Sequence, residues 1–410
     1  GQMDQNIGSL IASACDEVIS GSLDEHFPLR IWQTGSGTHT NMNANEVIAN
    51  RAIEISGGTV GSKTPVHPND HVNRAQSSND TFPTAMHIAA AEEVNHRLLP
   101  AVRHLRSALA SKSRDFRSIV KIGRTHLMDA VPLTLGQEFS GYVSMLDAAI
   151  SRVESAMGDL LELALGGTAV GTGLNTRPGW GEEVAANMAE ITGLPFVTAP
   201  NKFESLAAHD AQLELSGQLK TIAASLMKIA NDIRFIASGP RAGLGEITLP
   251  EVQPGSSIMP GKINPVIAES VIQVVAQVVG NDATVTLAGQ GGYFELNTMM
   301  PVAAYNILQS ISLLAASAHN FADQCVQGIT ATSVGPDMVE KGLMLGTALA
   351  PAIGYDAAAA IAKEASAKGT TIREMAKLKT ELSDAELDEL LKPESMTEPG
   401  IGAGGAGGGG

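Results

Sequence analysis

The run FSGYVSMLDAAISRVESAMGDLLELA (Phe139–Ala164) decides the fold. Its residues Phe139, Val143, Leu146, Ile150, Val153, Met157, Leu160 and Ala164 recur at alternating steps of four and three. That spacing is the seam of a long helix packed along its length against others. A second seam runs Leu215, Leu219, Ile222, Leu226, Ile229, Ile233 and Ile236. A softer third runs Ala304, Leu308, Ile311, Ala315, Ala318, Ala322 and Cys325. The segment Ile267 to Val279 is so apolar that two faces must be buried, and a fifth helix starts at Pro83 and continues past Leu98. Five long helices predict a mainly α, elongated bundle, and helices apolar on more than one face predict contact with other subunits.

Outward from this centre, residues 83–333 read as a helical-bundle domain. Residues 1–82, with short helices and loops rich in Gly, Asn and Thr, read as an N-terminal domain. Residues 334–410 read as a small C-terminal domain with helices Asp337–Leu349, Tyr355–Ala367, Thr371–Leu378 and Asp384–Leu391, then a flexible Gly/Ala end from Gly402 to Gly410. The chain opens without Met inside an amphipathic pattern (Ile7, Leu10, Ile11, Ala14, Val18), so its start is expected to be truncated.

Composition excludes several classes. The 410 residues carry 27 Lys+Arg against 43 Asp+Glu, a net charge of −16. A nucleic-acid binder would need a basic footprint, and so would docking on an anionic membrane. The 44% hydrophobic content can bury a large core. Two cysteines, Cys15 and Cys325, supply no disulfide framework and no cysteine metal site, which suits a reducing cytoplasm. No stretch approaches 18 uninterrupted apolar residues, so no membrane span is expected.

Four polar islands interrupt the helices: Gln33–Asn45, His67–Thr81, Gly123–Asp129 and Gly239–Pro265. In the last, Gly255-Ser256-Ser257-Ile258-Met259-Pro260-Gly261-Lys262-Ile263-Asn264-Pro265 is not a phosphate loop, because five residues separate the glycines and Ile263 follows the lysine. Asn264-Pro265 reads as a helix cap. Paired serines and Lys262 ahead of a helix N-terminus favour an anion, although an ordinary surface loop has the same composition. Glu269, one turn into an apolar helix, either faces solvent or needs a partner such as histidine. His126, in the turn Gly123-Arg124-Thr125-His126-Leu127, is the candidate; a carboxylate-held imidazole works as an acid–base pair near neutral pH. Ser77-Ser78-Asn79-Asp80-Thr81-Phe82-Pro83 and Thr34-Gly35-Ser36-Gly37-Thr38-His39-Thr40-Asn41 read as two more helix starts dense in neutral donors. Caps alone account for each, but together they could cradle carboxylates. His67-Pro68-Asn69-Asp70-His71 is a poor metal site, since Pro68 breaks the i, i+4 presentation of its histidines.

These motifs resemble one family. The loop 255–265 is similar to the signature of the fumarase/aspartase superfamily. Trp32-Gln33-Thr34-Gly35-Ser36-Gly37-Thr38, His67-Pro68-Asn69-Asp70 and Gly123-Arg124-Thr125-His126-Leu127 resemble class II fumarases specifically. The resemblance runs from about Ile11 to about Gly400. Aspartate ammonia-lyases, which share Asn41–Glu46 and Leu133–Glu138, typically differ at Thr34, Ser36, His126 and Gly261. Departures from the fumarase pattern are His39-Thr40, Met128 and the missing N-terminal segment.

The resemblance implies reversible hydration of fumarate to (S)-malate, a step of the tricarboxylic acid cycle. Ser256 is the implied base at C3 of malate, and His126 with Glu269 handles the proton of the water. Substrate binding falls to Ser36, Gly37, Thr38, Ser77, Ser78, Asn79, Thr125, Ser257, Lys262, Ile263 and Asn264. His67, Pro68, Asn69 and Asp70 resemble a second dicarboxylate site. No metal or other cofactor is implied. The implied assembly is a homotetramer with a twenty-helix core, each active site drawing on three subunits.

Overall fold

The computed structural model describes residues 3–400; the Gly-rich run expected as a flexible end, Gly402–Gly410, lies outside them. The fold is mainly α. In chain order the leading elements are α1 (Gln5–Ile19), α2 (Thr38–Ile55), α3 (Ser78–Glu93) and α4 (Leu99–Asp115). A hairpin of β1 (Val120–Thr125) and β2 (Met128–Thr134) follows, then α5 (Leu135–Leu160), α6 (Trp180–Thr192) and α7 (Lys202–Ala207). Three more long helices come next: α8 (Asp210–Ile236), α9 (Val266–Gly289) and α10 (Met300–Gln324). A π turn, Val94–Leu98, joins α3 to α4 with no break in the helical path, so the fifth helix of the sequence pattern begins at Ser78.

Contacts divide the chain into two compact units. One comprises the chain up to Ala101 with Ala149–Ala224 and Gln273–Ala316. The other comprises Val102–Ala148, Ser225–Ile272 and the chain from Ser317.

The seams set the core. All seven residues of the α8 seam, Leu215 to Ile236, are buried. On α5, Phe139, Leu146, Val153 and Leu160 are buried to completeness, while Ala164 falls beyond the helix end. On the third seam five of the seven expected residues are buried, Cys325 just beyond α10 among them. Ile311, Ala315, Ala318 and Ala322 are buried, but Ala304 and Leu308 are only partly so, and Met300, Ala303, Ile307, Leu314 and Phe321 carry the larger burial. A helix apolar on several faces does not fix its own phase.

Polar contacts set the register. In the first unit, Asp282 of α9 accepts from Ser216 Oγ at 2.8 Å and Lys220 Nζ at 2.6 Å of α8. Asn281 donates to Ser310 Oγ of α10 at 3.0 Å. A buried polar group costs heavily unless paired, so only the register that pairs these groups is favourable. Among the described residues α9 is also the helix long and apolar enough to cross a membrane by length and composition. That differs from the expectation drawn from uninterrupted apolar runs, because mean hydropathy averages over Gln273, Gln277, Asn281 and Asp282.

In the second unit a separate C-terminal core gathers Leu345, Leu349, Ile361, Ile372, Met375 and Leu387. The expected helix 337–349 is broken instead into Val334–Val339 and a 3-10 segment, Leu343–Leu349, because Gly342 is extended (φ −69°, ψ 120°).

Candidate active site

In the first unit, two helix N-termini meet through their first side chains. Gly37 ends the preceding turn at φ 71°, a left-handed conformation that glycine accepts without strain. A Cβ there would also lie 2.2 Å from the Phe82 ring. α2 therefore begins at Thr38. α3 begins at Ser78 behind a capping box, in which Ser77 Oγ accepts from Asn79 N–H and Asp80 accepts from Ser77 N–H at 2.9 Å. Thr38 Oγ1 and Ser78 Oγ are 2.8 Å apart, and Ser36 Oγ is 2.7 Å from Thr38 Oγ1. This chain of hydroxyls sits where two helix dipoles present positive ends.

Asp80 fixes that arrangement from beneath. Fully buried, its carboxylate accepts from Gly166 N–H at 3.0 Å and Thr168 N–H at 2.8 Å. Burial pushes its pKa up, and the backbone donors pull against that shift. Asn79 is committed to the same loop, its amide donating to Ala169 O at 2.8 Å.

These groups open on a cavity of about 610 Å3. Thr38, Ser77 and Ser78 line it together with Asn69 and Asp70, so it joins residues from two of the polar islands. Asn41, the end of one donor cluster, is on the same wall; sequence reasoning missed Asn45, Asn73, Arg74, Gln76, Thr168 and Asn175 there. Asn45 could have been found: one helical turn after Asn41, it donates to the Asn41 side chain at 3.1 Å and lies inside a polar island. Arg74 and Asp70 carry the charge among the described lining residues. His67 serves the backbone instead, its Nδ1 accepting from Asn69 and Asp70 N–H at 3.2 and 3.1 Å. Pro68 begins the short π turn that His67 caps. His71 Nδ1 likewise accepts from His67 N–H, at 2.9 Å.

In the second unit, the β1–β2 hairpin carries His126 at its tip. Thr125 pairs with Met128, leaving His126 and Leu127 as the whole turn. Both have positive φ, 56° and 63°. Two-residue hairpin turns demand such angles, and Asn-Gly or Gly-Gly normally supplies them. A histidine and a leucine there store strain, which is characteristic of functional positions. The hairpin is anchored below by buried charges. Lys121 Nζ contacts Glu138 at 2.8 Å and Glu246 at 3.1 Å, and Arg124 reaches Glu246 at 2.6 Å. Thr125 and His126 are exposed.

The same unit holds the loop 255–265. Gly255 N–H donates to Lys262 O at 2.9 Å, and Asn264 Nδ2 donates to Gly255 O at 2.7 Å. Ser256 Oγ accepts from Ile258 N–H at 3.3 Å and Met259 N–H at 3.1 Å. Ser257, Lys262 and Ile263 are exposed around it. The expected cap differs in detail. The first helical bond of α9 runs from Glu269 N–H to Pro265 O, so Pro265 is the boundary residue and Asn264 closes the loop rather than the helix. Glu269 is partly buried in the first turn.

Known proteins resemble this chain along nearly its whole length. The family described as "Lyase" matches residues 1–280, and "Fumarase C C-terminus" matches residues 345–398. The class II fumarate hydratase of Mesorhizobium japonicum is 58% identical over 97% of this chain and 86% of its own length. The mitochondrial fumarate hydratase of Mus musculus is 59% identical over 97% of this chain and 78% of its own. The crystal structure of class II fumarase from Schistosoma mansoni superposes with a TM-score of 0.95, at 44% identity over 97% of this chain and 86% of that one.

Proposed function

The chain belongs to the class II fumarases, and from that premise we propose that it catalyses the reversible hydration of fumarate to (S)-malate. The observation that carries this reading is the 2.8 Å contact of Thr38 with Ser78, which brings two helix N-termini to one polar cavity. A dicarboxylate needs such preorganised donors, and more so as the reaction proceeds. Removing the C3 proton of malate adds negative charge to a carboxylate that is already ionised, giving an aci-carboxylate.

In this proposal Ser256 takes the C3 proton. A serine is a weak base unless its alkoxide is stabilised. The two backbone N–H groups that point at Ser256 Oγ supply stabilisation, and Lys262 adds positive charge nearby in the loop. His126 with Glu269 transfers the proton of the water that leaves or arrives. Ser36, Gly37, Thr38, Ser77, Ser78 and Asn79 from one segment, Thr125 from a second, and Ser257, Lys262, Ile263 and Asn264 from a third hold the two carboxylates. Asn69 and Asp70, with His67 and Pro68 behind them, form a second dicarboxylate site on the same cavity wall.

The active assembly is a homotetramer whose sites draw on three copies. Support comes from apolar side chains left exposed on one copy: Val279 and Leu287 of α9, and Tyr293 and Phe294 just after it. Their burial against other copies would favour association by about 25 cal/mol per Å2. The compartment is the cytoplasm, in keeping with two free cysteines.

The test is to follow fumarate absorbance with malate and, separately, with aspartate as substrate. Turnover of malate supports the reading. Turnover of aspartate alone would reassign the chain as an ammonia-lyase, and absence of both would leave a structural oligomer.

A further inference from the structure

Two imidazoles from different helices grip one carboxylate away from all of these motifs. His104 of α4 places Nε2 2.6 Å from Asp323 Oδ1 of α10. His319, one turn before Asp323, places Nδ1 2.9 Å from Oδ2. Residues i and i+4 share a helix face, so both α10 side chains meet His104 from the same side. The two imidazole rings are 4.9 Å apart, and one donor atom from each of the three residues lies within 4.8 Å of the others. Gln327 Nε2 donates to Asp323 Oδ1 at 3.1 Å and braces the carboxylate from outside the cluster.

From this geometry we infer that His104, His319 and Asp323 bind a divalent first-row transition ion, with Zn2+ as the natural probe. Two imidazoles and a carboxylate are the donors that such ions prefer, whereas Ca2+ and Mg2+ select all-oxygen shells. Around an ion held at roughly 2.1 Å, neighbouring donor atoms stand roughly 3.0–3.4 Å apart. The 2.6 and 2.9 Å contacts therefore need to open by less than about 1 Å, a small rotamer adjustment. Each imidazole presents a lone pair to the ion once its proton resides on the other ring nitrogen or is released. The side chains are 39, 63 and 34% exposed for His104, His319 and Asp323, which leaves an entry path and room for water to complete the shell.

The experiment uses the full chain, free of any affinity tag and stripped with a chelator. Zn2+ is titrated in competition with a chromogenic chelator, and Co2+ binding is followed by its visible absorption. The expected result is one ion per chain, lost in His319→Ala and in His104→Ala, with circular dichroism and sedimentation unchanged. Asp323→Asn, nearly isosteric, is the second route and is expected to lower affinity at least tenfold. The inference is overturned if the unaltered chain retains no Zn2+, or if a His104→Ala/His319→Ala double variant binds it with the same stoichiometry and affinity.

Discussion

The side-chain amide of Asn264 donates to the carbonyl oxygen of Gly255 at 2.7 Å, closing the loop that carries Ser256 and Lys262. Gly255 is confined from the other side too, since a Cβ on it would lie 2.4 Å from Lys262 O. Gly255→Ala and Asn264→Ala should both open the loop. Because the loop is largely exposed, thermal stability should hardly change, while kcat/KM falls about 10²-fold through misplacement of Ser256. Steady-state kinetics beside a melting curve check this; an unchanged kcat/KM in Gly255→Ala would remove loop closure from the account.

The turn at His126 separates strain from chemistry. Asparagine tolerates a left-handed backbone far better than a β-branched residue does. His126→Asn should therefore keep its stability and lose about 10²–10⁴ in kcat. His126→Val should lose the same activity and, in addition, about 1–2 kcal/mol of stability. Denaturant unfolding and kinetics on the pair distinguish the two contributions, and near-normal kcat in His126→Asn would exclude it as the acid–base group.

Glu246 holds the hairpin that presents His126. It faces both Lys121 and Arg124 and is only 4% exposed. Glu246→Ala would leave Arg124 without this carboxylate and Lys121 with Glu138 alone. Breaking a buried pair from one side costs about 3–5 kcal/mol, so a large fall in Tm is expected, with kcat lowered as the hairpin loosens. A Tm within a degree or so of the parent would contradict this structural role for the cluster.

Acid stability should depend on His209. Burial first, and then the neighbouring His87, pushes its pKa from 6.5 down to about 3. Both ring nitrogens of His209 lack a hydrogen-bond partner among the described residues. Between pH 6.5 and about 3 the unfolded chain binds a proton that the folded chain refuses. Stability is therefore full above pH 6.5 and falls as the pH drops, by about 1.4 kcal/mol per unit from this group. At fixed protein concentration, His209→Leu should flatten the slope of unfolding free energy against pH between 6.5 and 4.5. The same slope in both proteins would show that other groups govern acid unfolding.

The bundle was legible where apolar residues of one size repeat without rivals. On α8 the seam from Leu215 to Ile236 left no second choice of face. On α10, small alanines gave Ala304 the same weight as Ile307, and only packing chose between them. The return strand of the hairpin, β2, stayed hidden for a different reason. His126-Leu127 carries no Asn-Gly signal, and Pro132, opposite Ile122, argues against a strand. The donors of the candidate site were legible as polar islands ahead of helices. Their convergence was not, because Thr38 and Ser78 stand 40 residues apart and nothing local encodes their contact. Arg74 escaped notice altogether, since a lone arginine in a loop has no pattern to mark it.

A mixing experiment tests the central claim most directly. The Ser256→Ala and His126→Asn proteins, each expected to lose nearly all activity, are dissociated together, reassembled as the proposed homotetramer and assayed for conversion of fumarate to malate. If these residues come from different copies of one shared site, random assembly restores about a quarter of the sites. Recovery near that level, absent when either variant is reassembled alone, is the expected result. Mixed tetramers that form and remain inactive would contradict the shared site.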